Sequence, residues 1–189
     1  MIERILKTVW LAGMLIFVGC LGVEKKEYTI KLKDGQSGTA TVKYINIFSN
    51  DDDEKDVSFK DFGELVSDYL QGDKIEKDYP GIRNVKKRLF IENNAVCGEI
   101  TFTFDSLSQI RLYRFEDGPI MYYVNSGSSP SEKFDSSNGM FGGGIMPVIF
   151  WNKSMKELLF KTRVTEDTVG KRNLANWYKV WQSNQDAPK

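Results

Sequence analysis

The 189-residue chain has no histidine, only two cysteines and five prolines. Without histidine there can be no Ser-His-Asp triad, no Cys-His nucleophile pair, no histidine-ligated zinc and no imidazole pH switch. Two cysteines allow one disulfide at most. There is no excess of charge of either sign, because 26 Lys and Arg balance 26 Asp and Glu. A nucleic-acid binder ordinarily carries a basic excess on one face, so nucleic acid is not an expected partner. What is present is a hydrophobic fraction of 41% with 13% aromatics, enough for a sizeable core in one domain of this length.

The first 20 residues carry the strongest pattern. Arg4 and Lys7 precede an uncharged run from Thr8 to Val23, and Val9 to Val18 is almost wholly apolar. That is the plan of a secretory signal, and the run falls short of the roughly 20 apolar residues that span a bilayer as a helix. It ends in Phe17-Val18-Gly19-Cys20, which resembles the lipobox of bacterial lipoproteins. Gly19 is the small residue that lipoprotein signal peptidase requires before the cysteine, while Phe17 stands where the family more often has leucine. The resemblance implies removal of residues 1–19, with Cys20 as the new N-terminus carrying a diacylglycerol thioether and an N-acyl (palmitate-type) chain. Each buried methylene contributes about 0.8 kcal/mol, and more than one chain makes anchoring stable. The expected location is the cell envelope. Leu21, in place of Asp, fits the outer membrane of a Gram-negative host, facing the periplasm or the surface.

Cleavage takes away Glu3, Arg4 and Lys7, leaving 24 basic and 25 acidic side chains. Cys97 is then alone, on the more polar side of a strand whose other side carries Val96, Gly98, Ile100, Phe102 and Phe104. A small strand residue covered by another element is the expected role, since a reactive thiolate needs a neighbouring base or cation.

The remaining chain divides into a lipidated tether at 20–26, one domain at 27–183 and a polar tail at 184–189. Alternation over 27–33 and 39–49 around Asp34-Gly35 predicts a hairpin, and 85–92 with 95–104 around Asn93-Asn94 predicts a second. A third is expected from 110–115 and 120–124, with further strands at 148–151 and 158–164. Phe59, Phe62, Leu65, Val66, Tyr69 and Leu70 recur at helical spacing, predicting an amphipathic helix over about 58–71. Leu174, Trp177, Tyr178 and Trp181 predict another over about 173–182. The segments 72–81 and 126–144 read as loops. The expected fold class is α+β: an antiparallel sheet built from hairpins, with the 58–71 helix on one face and a C-terminal helix.

Motifs for chemistry fail on spacing. Asp51 to Asp56 is acidic, but an EF-hand loop needs Gly at its sixth position and Glu at its twelfth, where Asp56 and Phe62 stand. Gly139 to Gly144 is glycine-rich without the Lys and Ser/Thr of a P-loop or the setting of a dinucleotide fingerprint. A flexible or bulged crossing between strands is its plain reading. No G-x-S-x-G or S-x-x-K occurs. Glu99 and Asp105 lie six residues apart on one strand, about 20 Å at 3.3 Å per residue. Glycosidase pairs need roughly 5–10 Å. No cofactor, no metal site and no catalytic residue is expected.

The order of lipobox, hairpin, helix and the strand Gly98 to Phe104 is faintly similar to LppM-like lipoprotein domains. That similarity implies an envelope protein in contact with lipid or glycan, and carries over no functional residue. The expected function is a non-catalytic, membrane-anchored lipoprotein whose domain binds a ligand or an envelope protein, lipid or glycan. Its expected surface comprises Tyr122, Tyr123, Phe141, Gly142, Gly143, Gly144 and Trp151. The alternatives are a structural or assembly accessory of the envelope and a carboxylate-based hydrolase.

Overall fold

A computed structural model describes residues 21–124, 132–164 and 170–185. The signal segment 1–19, Cys20, part of the expected 126–144 loop and the last four residues of the tail lie outside the described residues. Among the described residues every strand pair is antiparallel, and the strands form two sheets. The larger contains β1 (Leu21–Leu32), β2 (Gly38–Asn50), β3 (Arg83–Glu92), β4 (Ala95–Phe104), β7 (Lys133–Ser137), β10 (Glu157–Arg163) and β11 (Lys171–Asn173). Its order is β3-β4-β2-β1-β10-β7, with β11 pairing the end of β2. The smaller contains β5 (Leu112–Arg114), β6 (Ile120–Tyr123), β8 (Met140–Phe141) and β9 (Val148–Trp151), in the order β5-β6-β9-β8. The helices are few: α1 (Ser58–Glu64), a π-helical turn at Leu65–Leu70, α2 (Lys74–Asp78), a 3-10 turn at Leu107–Ile110 and α3 (Ala175–Gln185).

Local chemistry sets the two long hairpins. In the β1–β2 turn, Asp34 accepts from the Gln36 and Ser37 amides at 2.9 and 2.7 Å and from the Ser37 hydroxyl at 2.8 Å. These donors bring its carboxyl down to about 2. Asn93 and Asn94 close the β3–β4 turn with φ of 50° and 58°, the double left-handed geometry of the tightest hairpins.

One face of the larger sheet is solvated and cross-linked by charge. Glu27 holds Lys161 at 2.7 Å, Lys43 holds Glu92 at 2.6 Å, and Arg88 holds Glu99 at 2.8 Å. Cys97 lies here opposite Phe90 and is fully buried, and burial pushes its thiol up from the ordinary value. A buried, protonated thiol packs as a small apolar group.

The other face is covered by two different layers. Over its Leu32 end sits the smaller sheet, enclosing Ile30, Val42, Phe102 and Phe104 from the larger sheet with Leu112, Ile120, Ile149 and Trp151. Over its Leu21 end sit α1, the π-helical turn and α3, enclosing Ile47, Phe62, Leu65, Val96, Leu174 and Tyr178. Both clusters lie on one side because a bulge resets the alternation of β2. Inward residues run Ala40, Val42, Tyr44, then Ile47, and the register to β4 shifts between Tyr44 and Ile47. Asn46 takes up the left-handed φ of 55° at the bulge and donates to Glu24 Oε2 at 2.8 Å. On β1 the core-facing residues change parity across the same point, from Leu21 and Val23 to Tyr28, Ile30 and Leu32.

Several expectations are corrected. The single sheet is two, because the third hairpin recruits β9 and the two-residue β8 into a separate layer. Residues 21–26 are not a tether but the first half of β1, hydrogen-bonded to β2. The 58–71 helix is α-helical only to Glu64 and then widens, with the Gln71 amide donating to the Val66 carbonyl five residues back. The 72–81 loop contains α2, and the 126–144 loop contains β7 and β8. The C-terminal helix stands at 175–185, slightly later than expected.

Asn138 makes the corner between the sheets. Its Oδ1 accepts from Trp151 Nε1 at 2.8 Å and from the Leu159 amide at 2.9 Å, while its Nδ2 donates to the Glu157 carbonyl at 3.0 Å. The adjacent Gly139 has no room for a side chain, since a Cβ there would lie 2.6 Å from Trp151 Nε1. The glycine-rich segment therefore begins as a strand crossing.

Candidate functional site

Each strand of the smaller sheet sends alternate side chains to opposite faces. Tyr122 (8% exposed) and Trp151 (1% exposed) point inward and are core residues, not surface ones. Tyr122 packs on Phe160 with centroids 4.5 Å apart, and Trp151 lies 5.6 Å from the same ring. Phe141 also turns inward and stacks on Phe134 of the larger sheet at 4.1 Å. Of the seven expected surface residues, these three aromatics build the contact between the layers.

Their sequence neighbours face out. Tyr113, Met121, Phe150 and Met140 are successive cross-strand partners, giving one apolar row across all four strands. Tyr123 pairs with Val148 in the adjoining row. Beyond the row, the β8–β9 connection raises Ile145 and Met146 into solvent, with Ile145 fully exposed. Gly142, Gly143 and Gly144 shape this connection. Gly142 approaches the Met146 carbonyl too closely for a side chain, and Gly143 has φ of 90°. Nine large apolar side chains are exposed among the described residues, and six belong to this sheet and its loops: Tyr113, Phe115, Tyr123, Met140, Ile145 and Met146. Such concentration on one face marks an interaction surface, whereas scattered apolar residues do not.

The face ends in an open groove of about 540 Å³ whose walls include Pro119, Met140, Phe150, Asn152 and Met155. Methionine and aromatic side chains give it adaptable, large contact area. Of the expected residues, Tyr123 and the three glycines border this face, and the inward-facing Trp151 reaches only the wall of its groove. Tyr113, Met121, Met140 and Phe150 form its centre, and no periodicity singles them out, because β6 and β9 are apolar on both faces.

Behind the inner face is a second polar feature. A cavity of about 30 Å³, room for about one water, is lined by Tyr28, Tyr44, Tyr79, Tyr122 and Arg111 among apolar residues. Beside these tyrosines Lys26, on the inward side of β1, meets Glu132 at 2.6 Å, with side-chain exposures of only 18% and 10%. Burial first, and then the charge of neighbouring groups including Glu132, pushes the Tyr28, Tyr44 and Tyr122 phenols above their ordinary range. Glu132 Oε2 and Thr162 Oγ1 are buried without hydrogen-bond partners among the described residues.

The acidic candidates are engaged elsewhere. Asp51 is held by Arg172 in two hydrogen bonds of 2.7 and 2.9 Å, and Asp56 accepts from the Ser58 amide at 2.9 Å. Among the described residues no group of three His, Cys, Asp or Glu side chains is arranged to hold a metal. Glu99 is held by Arg88 and Asp105 by Arg83. Asp61 is buried in the first turn of α1, where it accepts from Ser49 Oγ at 2.6 Å.

Among the described residues no helix is long and apolar enough to cross a membrane. Comparison with family models, curated proteins and solved structures returns no match.

Proposed function

We propose that this protein is a lipid-anchored envelope lipoprotein whose domain is a non-catalytic docking module for a protein partner. The observation that carries the docking role is the outward row Tyr113-Met121-Phe150-Met140 with its exposed Ile145-Met146 tip. A glycan site would set polar hydrogen-bonding groups beside its aromatics, whereas this row alternates methionine with aromatic rings. Core residues of protein interfaces have that composition.

The anchor supports the choice of a protein over the bilayer as occupant. β1 begins at Leu21, the residue after Cys20, and the smaller sheet covers the opposite end of that strand. The smaller sheet covers β1 from Tyr28 to Leu32, seven to eleven steps of about 3.3 Å from Leu21, so the row sits roughly 25–35 Å farther along the domain than the acyl chains. The lipobox at Phe17–Cys20 supplies the acylated residue.

Two measurements test this reading. Metabolic labelling with a clickable fatty acid is expected to mark the wild type and not Cys20→Ala; equal labelling contradicts the anchor. Purification from detergent-solubilised envelopes is expected to bring down a stoichiometric protein, lost in Met121→Ser/Phe150→Ser while the thermal melt is kept. Retention of that protein by the double variant contradicts the docking face.

A further inference from the structure

Three of the nine exposed large apolar side chains lie off the smaller sheet, and two of them, Phe59 and Val180, are on α1 and α3. Phe59 is 70% exposed and meets the half-buried Trp177 edge-on, with centroids 5.0 Å apart. The Trp177 Nε1 donates to Ser58 Oγ at 3.0 Å, which ties α3 to the start of α1. Trp181, one turn later, meets Phe62 at 6.5 Å. Leu21 packs against this same cluster and pairs with Ser49, whose hydroxyl reaches Asp61 in α1.

The chain thus enters the fold beside these two helices with no slack. The residue that would carry the lipid is one peptide bond from a hydrogen-bonded strand. Resting on the lipid-anchor reading above, we propose that the α1–α3 end of the domain lies on the anchoring bilayer, with Phe59, Trp177 and Val180 entering the boundary between headgroups and acyl chains. Amphipathic surfaces of this kind bury their apolar side about 5–10 Å deep, and tryptophan favours that boundary because its ring is apolar and its N–H polar.

The charges around this end set no strong headgroup preference. Lys60 and Lys179 are exposed on the two helices, and Lys55 is exposed among Asp52, Asp53, Glu54 and Asp56 in the loop after β2. Arg172 is engaged by Asp51. The local charges nearly balance, so attachment is apolar and largely indifferent to headgroup charge. The smaller sheet is then carried away from the membrane.

The test uses the lipoprotein purified from membranes and reconstituted into phosphatidylcholine vesicles with brominated acyl chains, which quench tryptophan on contact. Loss of the signal segment removes Trp10, leaving Trp151, Trp177 and Trp181. Brominated lipid is expected to remove part of the emission of the wild type. That loss should shrink in Phe59→Ser/Val180→Ser with an unchanged melting temperature, and in Trp177→Phe with a slightly lower one, because the latter also loses the hydrogen bond to Ser58. Adding phosphatidylglycerol should leave the quenching largely unchanged, and quenching that depends strongly on it would overturn attachment by apolar contact. Mass measurement of the N-terminal peptide in the same sample reads the anchor separately. An acylated peptide with equal emission in brominated and plain vesicles overturns bilayer docking and leaves the anchor standing. An unacylated peptide overturns both.

Discussion

The two faces of the smaller sheet are made from neighbouring residues of the same kinds, and their fates are opposite. Tyr122 is buried and Tyr123 is 53% exposed; Phe141 stacks against the larger sheet and Met140 is 70% exposed; Trp151 is sealed in the core beside the outward Phe150. Burial against Phe160 and Phe134 explains the inner face as packing. No described element covers the outer one. Apolar side chains left on such a face contribute little to the monomer's core, which is the ground for the proposed binding role.

The sharpest way to break this comparison is to truncate one residue on each side. Trp151→Ala removes a fully buried ring and its hydrogen bond to Asn138, and is expected to cost about 3–5 kcal/mol in urea denaturation. Phe150→Ser is expected to stay within about 1 kcal/mol of wild type, as surface substitutions do. Equal losses would mean that the outer face is covered.

A smaller effect tests the polar inset beside the inner face. Lys26→Met leaves Glu132 buried without its partner and should destabilise by about 3 kcal/mol, the low end for a buried pair because Lys26 retains some exposure. Lys26→Met/Glu132→Leu should recover most of that loss. If both variants unfold at one denaturant concentration, the pair is not electrostatically isolated from water.

The smallest effect is in the response to alkali. The phenols of Tyr28, Tyr44 and Tyr122 are raised in the fold, so the native state holds protons that the unfolded chain releases near pH 10. Their contribution is complete below that unfolded value and is lost as pH rises toward the folded values. Urea midpoints should therefore decline between about pH 9 and 11, more steeply in wild type than in Tyr28→Phe/Tyr122→Phe. Parallel declines would contradict burial of these hydroxyls.

Much of the fold was legible where the chain alternates apolar with polar residues. The 27–49 and 85–104 hairpins have alternation and turn residues that fix their faces, and Asp34, Asn93 and Asn94 form the turns. The candidate site was legible as a region only. In Ile120-Met121-Tyr122-Tyr123 and Val148-Ile149-Phe150-Trp151 both faces are apolar, so periodicity offers no contrast to say which residues turn inward. The second sheet was hidden because β8 has two residues and is recruited by contacts distant in sequence. The bulge at Asn46 was equally silent, since its left-handed residue is set by the need to keep Ile47 over the helices. The tether reading failed because Leu21 and Val23 pack under α1 and α3, contacts that no local pattern reveals.

The central claim is that the outer face of the smaller sheet meets a protein in the envelope. Its most direct test is photo-crosslinking in intact cells, with a benzophenone amino acid placed at Phe150 and, as control, at Lys31 on the solvated face of the larger sheet. One discrete protein adduct is expected from position 150 and none from position 31. No adduct from 150, or the same adduct from both positions, would contradict it.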